Sequence, residues 1–314
     1  MKGAVKPHCP RRRRCRCSVA APCTTTALSL LSLLLQAVQQ PAQAAAAVSA
    51  LSPEEWRAFK LVHKEALTKG VANPTVLYRF ALTDKNQEVG LPVASCLLVR
   101  APIGSEKPDG SRAFVLRPYT PISHPDERGH FDLAIKVYPD GKMSQHIDHL
   151  KVGDTLDVKG PLMKMKLEDI AKRKHVGLLA GGSGLTPMLQ VAEEALRHKL
   201  PVKLSMIFAN VSEADIIAKD RLDALAKAHP KQFSIHYIVD KASSSSWKGS
   251  TGYITKDLLK QHMPAPGDHS LVLVCGPPPM MKAISGDKLP DKSQGPLTGM
   301  LKDMGYTESQ VFKF

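Results

Sequence analysis

Val176-Gly177-Leu178-Leu179-Ala180-Gly181-Gly182-Ser183-Gly184-Leu185-Thr186-Pro187 runs an apolar strand into a glycine turn and then into a helix. Val176–Ala180 is strand-like, and Pro187–Lys199 carries a helical pattern, with Thr186 placed to cap it and Pro187 at its first position. The same rhythm continues downstream. Apolar strands at Lys203–Asn210, Phe233–Asp240 and Ser270–Gly276 alternate with helical patterns at Glu213–His229 and Thr255–Met263, the last capped by Thr255. Strand–helix alternation at this spacing predicts a parallel, doubly wound sheet.

Upstream of Lys174 the pattern is different. Phe59–Leu67, Thr75–Leu82, Ala94–Pro102, Phe114–Ser123, His130–Tyr138 and Asp154–Pro161 are short apolar-rich runs divided by Gly, Pro, Asn and Asp, and only Met143–Leu150 is helical among them. Six such strands predict a small antiparallel barrel. The fold class is therefore β plus α/β, with a barrel over 54–162, a linker over 163–174 and the α/β sheet over 175–314. A cleft between two such domains is a favourable cofactor site. Ser243–Ser246 is a short low-complexity loop.

The glycine turn points toward chemistry but does not fix it. Backbone N–H groups at a strand-to-helix turn receive a pyrophosphate, and glycines let the ligand approach. However, Pro187 stands where the third glycine of G-x-G-x-x-G belongs, and a tight turn with no ligand accounts for the same residues.

Charge is uneven along the 314 residues. The chain holds 43 Lys+Arg against 29 Asp+Glu, a formal +14, which first suggests a polyanion partner. Seven of the basic residues (Lys2, Lys6, Arg11, Arg12, Arg13, Arg14 and Arg16) precede the first acid, Glu54, so the remainder carries only +7. Four of six cysteines, Cys9, Cys15, Cys17 and Cys23, also lie in this head. No His pair follows them at zinc-finger spacing, and no metal site is expected. The two body cysteines, Cys96 and Cys275, form no disulfide framework. An acid-free, Arg-rich head reads as a transit peptide over 1–50. Its apolar run Ala27–Val38 is shorter than the roughly 20 residues of a bilayer span. A mitochondrial presequence with a sorting or anchor segment is the preferred reading, with a plastid or secretory address as alternatives. The 43% hydrophobic content excludes disorder throughout, and the pattern excludes collagen and a multi-span membrane protein.

Four motifs occur in a telling order: Arg117-Pro118-Tyr119-Thr120-Pro121-Ile122-Ser123, Gly141-Lys142-Met143-Ser144, the GGSGLTPM turn, and Cys275-Gly276-Pro277-Pro278-Pro279-Met280. Over roughly 54–314 the chain resembles the ferredoxin-reductase-like flavoenzymes. Within them it is most similar to the NADH–cytochrome b5 reductase family in its plant and green-algal mitochondrial form, which shares the VASC around Cys96 and the ending at Phe314.

The resemblance implies two cofactors, FAD and NADH, and a role for each motif. Arg117 is expected at the FAD pyrophosphate, with Pro118 beside it, Tyr119 on the isoalloxazine, and the Thr120 hydroxyl near flavin N5. Ile135, Lys136 and Tyr138 are expected to line the ribityl and phosphate region, and Gly141, Lys142, Met143 and Ser144 to hold the pyrophosphate. Gly182, Ser183, Gly184, Thr186 and Pro187 would face the nicotinamide and dinucleotide phosphates. Cys275, Gly276, Pro277, Pro278 and Met280 would form the nicotinamide slot, with Cys275 orienting the ring rather than acting as a nucleophile. Phe314 would cover the flavin region. Asp240 stands where related reductases place an acid that favours NADH, since a carboxylate repels the extra phosphate of NADPH; a simple turn Asp is the alternative. Asn210 and Asp215 match the ribose-side segment.

The implied reaction passes hydride from NADH to FAD and then single electrons to the haem of cytochrome b5, with Thr120 and Cys275 closest to the chemistry. Cytochrome b5 is acidic, and Lys142, Lys164 and Lys166 are candidates for a basic docking rim. A monomer is expected, with no nucleic acid partner. The competing readings are a sister flavin reductase using NADPH or another acceptor, and a non-enzymatic basic protein binding nucleic acid or acidic membrane.

Overall fold

The computed structural model describes residues 49–124 and 126–314. The expected transit peptide and the apolar run Ala27–Val38 lie outside the described residues.

Alternating burial builds the first sheet. Its strands are β1 (Arg57–Ala66), β2 (Thr75–Ala81), β3 (Ser95–Ala101), β4 (Val115–Tyr119), β5 (His130–Lys136) and, after helix α1 (Lys142–His149), β6 (Thr155–Met163). Every second residue points inward: Val76, Tyr78 and Phe80 from β2, Leu97 and Val99 from β3, Phe131, Leu133 and Ile135 from β5. Phe131 meets Phe59 edge to face at 5.2 Å and stacks on Phe80 at 5.5 Å. Each such ring contributes about 1.5–3 kcal/mol by leaving water.

All pairings in this sheet are antiparallel, in the order β4-β3-β6-β1-β2-β5. The six antiparallel strands expected are present, and among the described residues their order is linear, with β4 and β5 at its ends rather than closed on each other. The segment after β4 does reach β5, where Ile122 N–H donates to the Asp132 carbonyl at 2.9 Å. Pro118 and Pro121 lack the amide hydrogen that a second ladder along β4 requires.

A short helix, α2 (Leu167–Ala171), leads into β7 (His175–Gly181), α3 (Leu185–Arg197), β8 (Lys203–Asn210), α4 (Lys219–Ala228), β9 (Phe233–Val239), β10 (Ser250–Thr251), α5 (Lys256–His262), β11 (Ser270–Cys275), α6 (Pro278–Ile284), α7 (Gly299–Asp303) and β12 (Val311–Lys313). The sheet is parallel throughout, ordered β10-β9-β8-β7-β11-β12. Its strands are apolar on both faces. Leu178, Ala180, Met206 and Phe208 pack with α3 and α4, while Leu179, Ile207 and Val274 pack with α5, α6 and α7. The doubly wound expectation holds.

Two helix expectations change. Thr186 does not cap α3. The glycines Gly182–Gly184 form a 3₁₀ turn that runs directly into the helix, which places Thr186 inside it, its hydroxyl donating to the Ser183 carbonyl at 3.3 Å. The single helix expected over Glu213–His229 is split, because Ala218 takes a left-handed conformation with φ 52° between a short turn and α4. Thr255 does cap α5, accepting from Leu258 N–H at 3.3 Å.

Candidate active site

The parallel sheet reverses its winding between β7 and β11, and the C-terminal ends of its strands stand in a row there. Register places Asn210 of β8 beside Val239 of β9, Gly181 of β7 beside Ala209, and Cys275 beside Ala180. Crevices at such a reversal are where open α/β sheets receive ligands.

The glycines are dictated by this crowding. A Cβ on Gly184 would lie 2.3 Å from the Cys275 carbonyl oxygen, and one on Gly181 2.5 Å from Met280 Sδ. A Cβ on Gly276 would meet the same sulfur at 2.6 Å. The two turns therefore fold as one unit, closed from below by the Met280 thioether. Gly182 is different: it has φ +53°, and nothing lies within 4 Å of a Cβ there, so its face is open toward the crevice. The turn Gly182–Gly184 lies against β5 of the first sheet, which brings the two halves of the motif set together. Pro277 and Pro278 begin helix α6, with proline at its first position.

On the first sheet, Arg117 of β4 is exposed. Its guanidinium donates to the Leu116 carbonyl at 2.8 Å and has no carboxylate partner among the described residues. Pro118 is exposed next to it, and Tyr119 and Thr120 are half-buried. Burial pushes the Tyr119 phenol up to about 12, against the opposing Arg117 charge, so the ring stays neutral. The Thr120 hydroxyl has no protein partner among the described residues. Helix α1 starts at Lys142, beside β4. Gly141 caps it without a side-chain bond, and a Cβ there would fall 2.2 Å from Ser144 Oγ. Tyr138 and Lys142 are exposed.

Several residues expected near the cofactors have partners within the protein. Ile135 and Met143, each 2% exposed, point into the first core, leaving only their backbone for a ligand. Ser144 Oγ is engaged locally, donating to the Gly141 carbonyl at 3.0 Å and accepting from Tyr138 N–H at 3.3 Å. Lys136 lies on β5, the strand expected to line the ribityl and phosphate region. It is buried and pairs with Asp215 at 2.8 Å, while Ser212 Oγ donates to the other carboxylate oxygen at 2.7 Å. Asp215 thereby joins the two sheets. Arg221 makes a second joint, binding Glu193 and donating to the Ile122 carbonyl at 2.7 Å. Burial raises the Glu193 carboxyl above its ordinary range, with Arg221 opposing.

The row of strand ends also carries groups that fit a nucleotide. Asn210 is buried, yet neither atom of its amide has a partner. A buried, unpaired amide costs about 1–3 kcal/mol unless a ligand satisfies it. Asp240 is exposed, its N–H donating to the Asn210 carbonyl at 3.1 Å. The open glycine turn, the unpaired Arg117 and the orphaned Asn210 amide fit a dinucleotide on one sheet and a phosphate-bearing cofactor on the other.

Cys275 is half-buried, and burial pushes its thiol up to about 12. The thiolate is then scarce at neutral pH. Alkylation of Cys275 by iodoacetamide at pH 8 is expected to run about a thousand times slower than that of a free thiol. Peptide mass spectrometry before and after denaturation checks this; prompt labelling of the native protein contradicts it. Phe314 closes the row. Its N–H donates to the Val274 carbonyl at 3.0 Å, and its ring meets Phe312 edge to face at 5.0 Å.

Comparison with known proteins agrees with this geometry. Residues 58–167 match the oxidoreductase FAD-binding domain and residues 178–286 the oxidoreductase NAD-binding domain. An NADH-cytochrome b5 reductase-like protein of Arabidopsis thaliana is 51% identical over 267 residues, covering 85% of this chain and 79% of the relative. NADH-cytochrome b5 reductase 2 of Aspergillus terreus is 42% identical over 261 residues, covering 82% and 78%. Among solved structures, the cytochrome b5 reductase domain of Ulva prolifera nitrate reductase aligns with a TM-score of 0.67 at 31% identity, covering 85% of this chain and 99% of that one. Fold and site define an FAD- and NADH-dependent oxidoreductase. The chain belongs to the NADH–cytochrome b5 reductase family.

Proposed function

We propose that this chain oxidises NADH and delivers electrons singly to cytochrome b5 in the mitochondrion. The observation that carries the reading is the junction of the Gly182–Gly184 turn with the Cys275–Gly276 turn, directly against β5. Cytochrome b5 as acceptor is supported by the names of the relatives. The acid-free basic head supports mitochondrial import, with Ala27–Val38 as a sorting or anchoring segment.

Bound FAD supplies the conversion between a two-electron donor and a one-electron acceptor. The protein binds and orients. Arg117 offers a guanidinium to phosphate oxygens through charge-assisted hydrogen bonds. The first backbone N–H groups of α1 and the open face at Gly182 receive further phosphate. Tyr119 presents a neutral ring, the unpaired Thr120 hydroxyl a donor, and Cys275 a neutral thiol at the mouth of the nicotinamide slot. Holding two reactants in register this way replaces a bimolecular encounter by a unimolecular step. Lys142, Lys164 and Lys166 are exposed and form no ion pair among the described residues, which suits a rim for an acidic haem protein.

Asp240 sets the coenzyme. Its carboxylate beside the ribose site disfavours an added phosphate by about 1–3 kcal/mol, roughly tenfold or more in kcat/KM. Turnover with NADH is therefore expected to exceed that with NADPH, and Asp240→Ala to narrow the ratio. A wild-type preference for NADPH would overturn the assignment.

A further inference from the structure

The last strand alternates in an unusual way, Val311-Phe312-Lys313-Phe314. Successive side chains point to opposite faces of a sheet. Phe312 and Phe314 pack on the face shared with Cys275 and the α3 core. Lys313 goes to the opposite face, where it is 2% exposed. Its ammonium reaches no carboxylate among the described residues. It donates instead to four main-chain carbonyls, those of Pro296 at 3.0 Å, Asp287 at 3.2 Å, Gly295 at 3.2 Å and Ser285 at 3.5 Å.

All four carbonyls belong to one segment, 285–296, between α6 and α7. Gly286 (φ +81°) and Gly295 (φ +64°) bend it into conformations that L side chains rarely adopt. The segment also grips the backbone of Lys313. Lys288 Nζ and Gln294 Nε2 each donate to the Lys313 carbonyl at 3.0 Å, and Lys313 N–H donates to Gln294 Oε1 at 2.7 Å. Every polar group of Lys313 is thus taken by this one segment. A buried ammonium without a counter-charge is costly unless fully hydrogen-bonded, so such a cage marks a position whose geometry matters. Directly in front of it, on the other face, stands the Phe314 ring beside Cys275. Most of this arrangement lies beyond the residues that match the NAD-binding domain, which end at 286.

We infer that Lys313 is a positioning residue: it clamps segment 285–296 to the back of the last strand and so fixes the seat of Phe314 at the mouth of the nicotinamide slot. The inference rests on the reading of that slot and of Phe314 as the cover of the flavin region. A fixed aromatic ring against the achiral isoalloxazine induces visible circular dichroism in it and shields it from water. A ring on a loosened strand does so less.

The test compares the visible circular dichroism of bound flavin, normalised to FAD content, in the wild type, Lys313→Met, Phe314→Ala and the double variant. Both single variants should lower the ellipticity of the flavin band about twofold or more, and the double variant should add little to the larger single effect, because residues acting as one unit are not additive. If Lys313→Met does not accumulate as folded holoenzyme, Gln294→Leu, which breaks the two-way bond to the Lys313 backbone, takes its place with the same expectation. Wild-type ellipticity in the Lys313 variant alongside a fall in Phe314→Ala would overturn the clamp while leaving the site reading intact. Additive effects would also overturn the clamp, since Lys313 would then act elsewhere. Wild-type ellipticity in Phe314→Ala would remove Phe314 from the flavin and overturn both.

Discussion

Gly184→Ala is expected to cost about 1–3 kcal/mol of stability and to raise the KM for NADH by roughly an order of magnitude, while FAD stays bound. The added Cβ would stand 2.3 Å from the Cys275 carbonyl oxygen, 2.6 Å from its carbon and 2.9 Å from Gly276 N. These are backbone atoms at the end of a central strand, so no side chain can swing aside. Either the β7 turn or the β11 turn must move, and the two together form the nicotinamide slot. The groups expected to hold FAD, Arg117 and the start of α1, lie on the other sheet and are untouched. Gly182→Ala is the control. Its Cβ meets nothing within 4 Å but sits at φ +53°, a strain of about 1 kcal/mol without displacement of the neighbouring turn. Thermal unfolding, flavin content and NADH kinetics of the two variants separate crowding from strain. Wild-type KM in Gly184→Ala would show that the turns are not coupled.

The second large effect belongs to the buried pair of Lys136 and Asp215. Removing one partner leaves the other charged and buried, at a cost of about 3–5 kcal/mol, whereas replacing both by apolar residues is often far milder. Lys136→Met leaves the Asp215 carboxylate with only the Ser212 hydroxyl. The double variant Lys136→Met/Asp215→Leu should recover more than half of that loss. Urea unfolding of the single and double variants measures this directly. The pair also joins β5 to the segment after β8, so the single variants should weaken NADH binding through loss of alignment between the sheets. A single variant as stable as the wild type would mean that the pair is solvated and structurally idle.

How much of this was legible in the sequence depends on the range of the interaction involved. Strands were legible because each is a short apolar-rich run bounded by turn residues: β2, β5, β7 and β8 fall within one or two residues of their expected spans. The Gly181–Gly184 and Cys275–Gly276 turns were legible as motifs. Their mutual contact, through Met280 and the Cys275 carbonyl, was not, since it joins segments about ninety residues apart. Likewise Lys136 and Asp215 each read as a ligand-binding residue, because a polar group in a motif looks the same whether it faces a cofactor or another strand. Ile135 and Met143 show the same limit inside motifs: the backbone can serve a ligand while the side chain faces the core. Helix α6 was hidden by Pro277-Pro278-Pro279, which reads as a turn although proline fits the start of a helix. The open ends of the first sheet follow from prolines already visible in the RPYTP motif. The Lys313 clamp had a local signal, one lysine in an otherwise apolar terminal strand, but its partners come from a segment without a motif.

The most direct test of the account is the visible absorbance of the purified protein during anaerobic titration with NADH. The account predicts a yellow protein whose flavin band is bleached by an equimolar amount of NADH and restored on adding oxidised cytochrome b5. A colourless protein, or a flavin band that NADH leaves unchanged, would contradict it.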